Sequence, residues 1–217
     1  MLTVCYSTKG GQGCTTVTAA LALAQRGSRL IDTTGDLPAL LGIPEPSGPG
    51  ICDLLADDRV LDIAGLGRLA ASSGPLPLIN AGSMPVDGVP EHRWAELAAI
   101  LTADPGAWFL DAGTLPAAAC AAADRTLLVV RNCYLALRRA VAHPVRPDGV
   151  VLVIEPDRAL SSADIEAVLT VPVVARVSID PAAARTIDAG LFAARVPRGL
   201  ARGLATLNLG DEVASRA

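Results

Sequence analysis

The chain has 217 residues, 51% of them hydrophobic but only 3% aromatic, and a formal net charge of −4. That length suits one well-buried domain over residues 1–217 and is short for two, and its core must be built from Ala, Leu, Val and Ile. The charge gives no global attraction to nucleic acid or anionic lipid, no apolar run nears a membrane span, and the sequence enters a strand without a charged leader, so a cytoplasmic protein is expected.

Apolar runs alternate with helical patterns along the whole length, which predicts an α/β domain with a mainly parallel central sheet flanked by helices. Leu2 to Tyr6 reads as a buried strand, and Thr15 to Gln25 as a helix with Val17, Leu21 and Ala24 on its packing face. Gly27 ends a turn before a second strand, Arg29 to Asp32, and Thr33 to Gly42 forms a loop and short helix. Ile43 to Gly50, with three prolines and two glycines, is a surface loop. Ile51 to Leu55 and Ile63 to Ala71 read as short helices, Leu76 to Asn80 as a strand, and Glu91 to Leu101 as a helix packing Trp94, Leu97 and Leu101. Trp108 to Asp111 is the next buried strand; it ends on a carboxylate before Ala112-Gly113-Thr114. Further strands are predicted at Thr126 to Val130, Val150 to Ile154 and Val173 to Val177. Ser161 to Asp164 supplies a helix cap, after which Ile165, Val168 and Leu169 face the core. Asp180 to Ala189 is a helix with Pro181 at its first position, ended by Gly190. Leu200, Leu204 and Leu207 make a core-facing stripe, while Arg195, Arg198 and Arg202 form a thin basic face. Five cysteines without C-x-x-C spacing, and two distant histidines, argue against a zinc site or a disulfide framework.

The stretch Ser7-Thr8-Lys9-Gly10-Gly11-Gln12-Gly13-Cys14-Thr15-Thr16 organises the chain. Strand, glycine loop and helix in that order are the setting of a phosphate-binding loop: glycines let amides converge on an anion, and the helix start adds free N–H groups. Against G-x-x-x-x-G-K-[ST] the match is partial, with Thr8 at the first glycine and Cys14 at the lysine. Against K-G-G-x-G-K-[ST]-T, residues Lys9, Gly10, Gly11, Gln12, Gly13, Thr15 and Thr16 match and Cys14 alone fails. Of 18 basic residues, one is lysine, Lys9, and 17 are arginines, so the single compact ammonium falls inside this loop. Cys14 removes the charge that normally faces the β/γ-phosphates. It is read as a small residue tolerated after catalysis was lost, in preference to a reactive thiol at a helix start.

On these residues the chain resembles the ParA/MinD family of P-loop ATPases, whose variant loop carries an early second lysine. The resemblance implies a three-layer P-loop NTPase fold, with ATP or ADP held by Lys9, Gly10, Gly11, Gln12, Gly13, Cys14, Thr15 and Thr16. It implies Mg2+ at Thr15, Asp32 and Asp111, catalytic roles for Lys9 and Asp32, and Lys9 reaching the partner's phosphates across a homodimer. Asp32 with Leu40-Leu41-Gly42 looks like the family's switch I, and Asp111-Ala112-Gly113 like its Walker B and switch II. Two departures accompany Cys14. Thr34 stands where the family's second switch I aspartate positions water, with Asp36 two residues on, and Glu155-Pro156-Asp157-Arg158 stands where an asparagine reads adenine. The expected function is a nucleotide-dependent dimeric switch in positioning, partition or assembly, with weak or lost ATPase activity and an unidentified protein partner. The alternative is a pseudo-ATPase scaffold that docks a partner without turnover. An amidoligase-like enzyme of the wider group ranks last, since nothing marks a second-substrate pocket. Nonspecific DNA has thin support in the arginines, and Leu209 to Ala217 lacks the membrane helix that MinD-like proteins carry.

Overall fold

The computed structural model describes residues 1–70, 74–114, 120 and 122–207. Seven strands form one sheet in the order β3-β2-β4-β1-β5-β6-β7: β1 Leu2–Tyr6, β2 Arg29–Asp32, β3 Leu78–Ile79, β4 Trp108–Asp111, β5 Arg125–Arg131, β6 Gly149–Ile154 and β7 Val173–Ser178. Every pairing is parallel. Strands covered on both faces read as continuous apolar runs, which is why β1, β4 and the middle of β5 carry no exposed residue. The predicted strands are all present, with β3 shortened to two residues.

Helices cover both faces. On one side lie α1 Cys14–Ala24, α2 Leu37–Leu41 and α9 Arg198–Leu204; on the other lie α3 Ile51–Ala56, α4 Ile63–Leu69, α5 Glu91–Ala103, α6 Tyr134–Val141 and α7 Ser162–Leu169. The helix α8 Pro181–Asp188 runs over the carboxyl end of the sheet and packs on α2. The core on that second side holds Trp94, Leu97, Leu101 and Trp108, and of the chain's six aromatics all but the exposed Tyr134 are spent on packing.

Two packing expectations are corrected. Ala24 is exposed, because α1 is apolar nearly all round and buries Thr18, Ala19, Ala20 and Ala22 beside Val17 and Leu21. Val168 is 50% exposed, because the eight-residue α7 has only Ile165 fully buried beneath it. Ala71 and the Leu209 to Ala217 segment lie outside the described residues. Among the described residues no helix is long and apolar enough to cross a membrane.

Two close approaches frame the carboxyl edge. Gly42 ends α2 at φ +68°, and a Cβ there would sit 2.2 Å from the Gly190 carbonyl oxygen, so both backbone shape and space demand glycine. The Asp53 carboxylate accepts hydrogen bonds from Gly50 N (2.8 Å), Ser83 N (2.9 Å), Ser83 Oγ (2.8 Å) and Met84 N (2.9 Å), tying the start of α3 to the loop after β3. Partial desolvation pushes this carboxyl up, but the donors outweigh it and hold it below its ordinary value. With the folded pKa below the unfolded one, this stabilisation is fully present above the unfolded carboxylate range, about pH 4, and is lost as pH falls through the folded value. These bonds are largely exposed and screened by solvent, so Asp53→Asn should cost no more than about 1 kcal/mol at neutral pH. Urea unfolding across a pH series should show the gap from wild type narrowing on acidification.

Candidate functional site

Chain direction puts the carboxyl ends of β1, β2, β4 and β5 on one edge, and strand order reverses across β1. Crevices at such a switch point are where open α/β sheets hold ligands. From β1 the chain turns through residues 7–13 into α1, with Gly11 at φ +73° and Gly13 at φ +91°. No atom lies within 4 Å of a Cβ built on Gly10 or Gly11, so the space above the loop is open. The loop is fixed from two sides. Ser7 donates to Gly113 O through its backbone N–H (2.7 Å) and its hydroxyl (3.2 Å), and the buried Gln12 accepts from Arg131 N through Oε1 (3.0 Å).

Above the loop is a cavity of about 530 Å³, walled by residues 10–16 of the loop and helix start, by Ser7, Thr34, Asp36 and Leu40, by Gly113 and Thr114, and by Ile187 of α8. Of the predicted phosphate-binding set, Gly10, Gly11, Gln12, Gly13, Cys14, Thr15 and Thr16 come together here. Lys9 does not line it. The Lys9 ammonium has no hydrogen-bond or ion-pair partner among the described residues, and its charge is felt instead by Cys133 at the start of α6. The cavity wall contains no lysine or arginine.

Asp111, wholly buried at the end of β4, lies directly beneath. Gly113 N donates to Oδ1 (3.2 Å) and Thr34 Oγ1 lies 3.3 Å from Oδ2, while the Thr15 hydroxyl and the Cys14 thiol are near enough to pull its pKa down. Burial pushes this carboxyl up and the neighbouring Asp32 adds to the shift, against the pull of those donors. Cys14 is buried, and burial drives its thiol well above the ordinary value, with Asp111 and Cys5 adding to the effect. A thiolate at the helix start is thereby excluded, and the thiol serves as a neutral donor under the loop.

Asp32 is also buried, but it does not line the cavity. Its Oδ1 accepts from Thr34 N (2.8 Å), Thr34 Oγ1 (2.9 Å) and Gly35 N (3.0 Å), and Oδ2 accepts from Leu37 N (3.1 Å). Both oxygens accept from the turn that leads into α2, so these bonds set the shape of residues 33–37. Asp36, by contrast, is exposed on the cavity wall, so the acid displaced two residues along the sequence is the one that faces the site. Glu155, weighed as a base contact, is paired with Arg158 (2.8 Å). Sequence reasoning missed Ser7, Thr114 and Ile187; only the serine, adjoining the motif, carried a signal.

The residues present suit a polyphosphate and a divalent ion in part. Open amides from Gly10 to Thr15 would cradle phosphate, and Thr15 with Asp111 would hold magnesium directly or through water. What the wall lacks is a cation for the phosphate charge.

No family model matches the chain, and no curated protein does. Solved structures do. MinD of Pyrococcus horikoshii, complexed with Mg-ADP, superposes with a TM-score of 0.74 at 18% identity over 98% of this chain and 96% of that one. A ParA family ATPase from Chlorobium tepidum gives 0.74 at 19% identity, covering 94% and 95%. MinD in the Aquifex aeolicus MinC:MinD complex gives 0.67 at 22% identity, covering 87% and 85%. At such identities the likeness is one of fold: the chain has the three-layer P-loop NTPase fold of these ATPases.

The cysteines offer a check on the site. Burial pushes Cys5 and Cys120 to about 12 and Cys52 to about 11. The half-buried Cys133 is held below its ordinary value by the Ala136 N–H, then by the Leu135 N–H, Arg158 and Lys9, against a desolvation penalty. Iodoacetamide at neutral pH, read by peptide mass spectrometry, should label Cys133 at least about tenfold faster than Cys14. Equal rates would mean that the thiol beneath the loop is open to solvent.

Proposed function

We propose that this protein is a ParA/MinD-like nucleotide-binding protein whose loop holds the phosphates of ATP or ADP with Mg2+ and whose nucleotide joins two copies into a dimer. It would act as a switch in intracellular positioning, partition or assembly, in the cytoplasm, through a protein partner, with slow or absent hydrolysis. The observation that carries this reading is the pairing of an open glycine cradle with a neighbouring lysine that is not among the residues lining it. A cradle without a cation binds phosphate through amides alone, and an unpartnered ammonium at its rim is free to serve the phosphates of a second copy. The Mg-ADP in one structural neighbour and MinC beside another support the nucleotide and the protein partner as classes.

Weak turnover follows from chemistry. Phosphoryl transfer is accelerated largely by positive charge placed where negative charge develops, and Cys14 supplies none. Thr34 can orient water by hydrogen bonding but is no base. The pseudo-ATPase scaffold has its own favouring observation: the chain's own groups already attend Asp111, with Gly113 N donating at 3.2 Å and Thr15 and Cys14 pulling its pKa down.

Calorimetry and sedimentation velocity with ATP, ADP and GTP in magnesium separate the two. The nucleotide switch predicts ATP binding with dimer formation, and loss of the ATP-dependent dimer in Lys9→Ala with monomer binding retained. Cys14→Lys should tighten nucleotide binding by about 1.5–3 kcal/mol, the worth of a charge-assisted hydrogen bond. A dimer that forms without nucleotide and ignores Lys9→Ala would favour the scaffold, and absence of binding to any nucleotide would remove the switch.

A further inference from the structure

Behind α8, on the side away from the loop cavity, lies a second concavity of about 410 Å³. The helix divides the two: Ile187 faces the phosphate loop, while Arg185 and Thr186 face the other side. Three arginines line this second cavity, Arg185 from α8, Arg195 from the segment after it and Arg198 from the first turn of α9. None of the three has a hydrogen-bond or ion-pair partner among the described residues; the ion pairs there use Arg29, Arg59, Arg93 and Arg158. One carboxylate shares the wall, that of Asp180, and its Oδ1 already accepts from Ala182 N (2.7 Å) as the cap of α8.

Side chains lining one cavity of this size sit within roughly a Debye length, about 8 Å at physiological salt, of a common centre. Their mutual repulsion is therefore only partly screened, and it is uncompensated within the fold. Arginine is also the side chain whose planar fork suits bidentate contact with phosphate oxygens. The wall is not wholly polar: Leu191, 53% exposed, stands beside the arginines and offers an apolar shelf. Volume, net charge of the wall and shelf together fit a small ligand with a charged head and an organic body. They fit a nucleic-acid backbone less well, because the basic groups ring a hollow instead of following a stripe, and because Asp180 and Asp188 lie at the two ends of α8.

We infer that the Arg185–Arg195–Arg198 cavity is a second anion site, separate from the phosphate loop, that takes the phosphate head of a small molecule. The inference does not depend on the loop holding nucleotide.

The test titrates inorganic tripolyphosphate by calorimetry into the wild type and into the combined variant Arg185→Gln/Arg195→Gln/Arg198→Gln. All three positions are exposed, so the variant should keep the wild-type thermal unfolding midpoint. The expected result is the loss of one equivalent of bound tripolyphosphate, or a weakening of that equivalent by at least tenfold, whatever the loop itself binds. Single Arg→Gln variants should each give part of that loss. Identical isotherms for wild type and variant would overturn the inference. A second arm adds a short random-sequence DNA duplex: duplex binding that disappears in the variant while the tripolyphosphate isotherm stays unchanged would assign the arginines to nucleic acid and overturn the small-anion site.

Discussion

A buried carboxylate, Asp111, is the constraint around which this molecule's functional edge is built. It sits beside Asp32 in register on the adjacent strand and beneath the start of α1. A charge placed there is costly unless polar groups surround it, and the chain supplies them from three segments: the Gly113 amide donates, Thr15 and Cys14 at the helix start pull the pKa down, and the Thr34 hydroxyl shares its one proton between Asp32 and Asp111. Those same bonds fix the separation of loop, turn and strand end. The position of the cavity is thus a consequence of how one acid is satisfied.

From this follows the odd electrostatics of the site. In the place where P-loops carry a lysine, this chain has a neutral buried thiol, and the lysine it does carry is not part of the cavity wall. Phosphate would be met by amide dipoles and a helix start alone. Such groups hold an anion but do little for a transition state that accumulates charge. Binding and catalysis, which the usual loop combines, would on the proposed reading be separable here.

The layered architecture was legible in the sequence because parallel strands buried on both faces leave unbroken apolar runs, as at Leu2 to Tyr6 and Trp108 to Asp111. The loop was legible because few sequences place three glycines and a lone lysine between such a strand and a helix. What escaped was any property set by contacts far apart in sequence. The spacing of Val17, Leu21 and Ala24 suggests a one-sided helix, but α1 is enclosed by β-strands and α9, and helical spacing says nothing of neighbours. Asp32 reads as a metal ligand by position, and nothing in its spacing announces that it also anchors the following turn through Thr34, Gly35 and Leu37. Asp36 and Ile187 face the cavity only because α2 and α8 meet over it, where Gly42 and Gly190 touch. The arginine cavity behind α8 was legible only as three scattered cations, since their convergence depends on how the chain turns between Leu191 and Arg198.

Nucleotide binding as proposed requires the amides between Gly10 and Thr15 to receive phosphate without help from a loop cation. The direct measurement is a 15N–1H spectrum of the protein titrated with Mg-ADP. The account predicts large shifts at Gly10, Gly11, Gly13 and Thr15, with Gly65 and Gly67 on the opposite face of the sheet unmoved. Loop amides that stay in place at saturating nucleotide would contradict it.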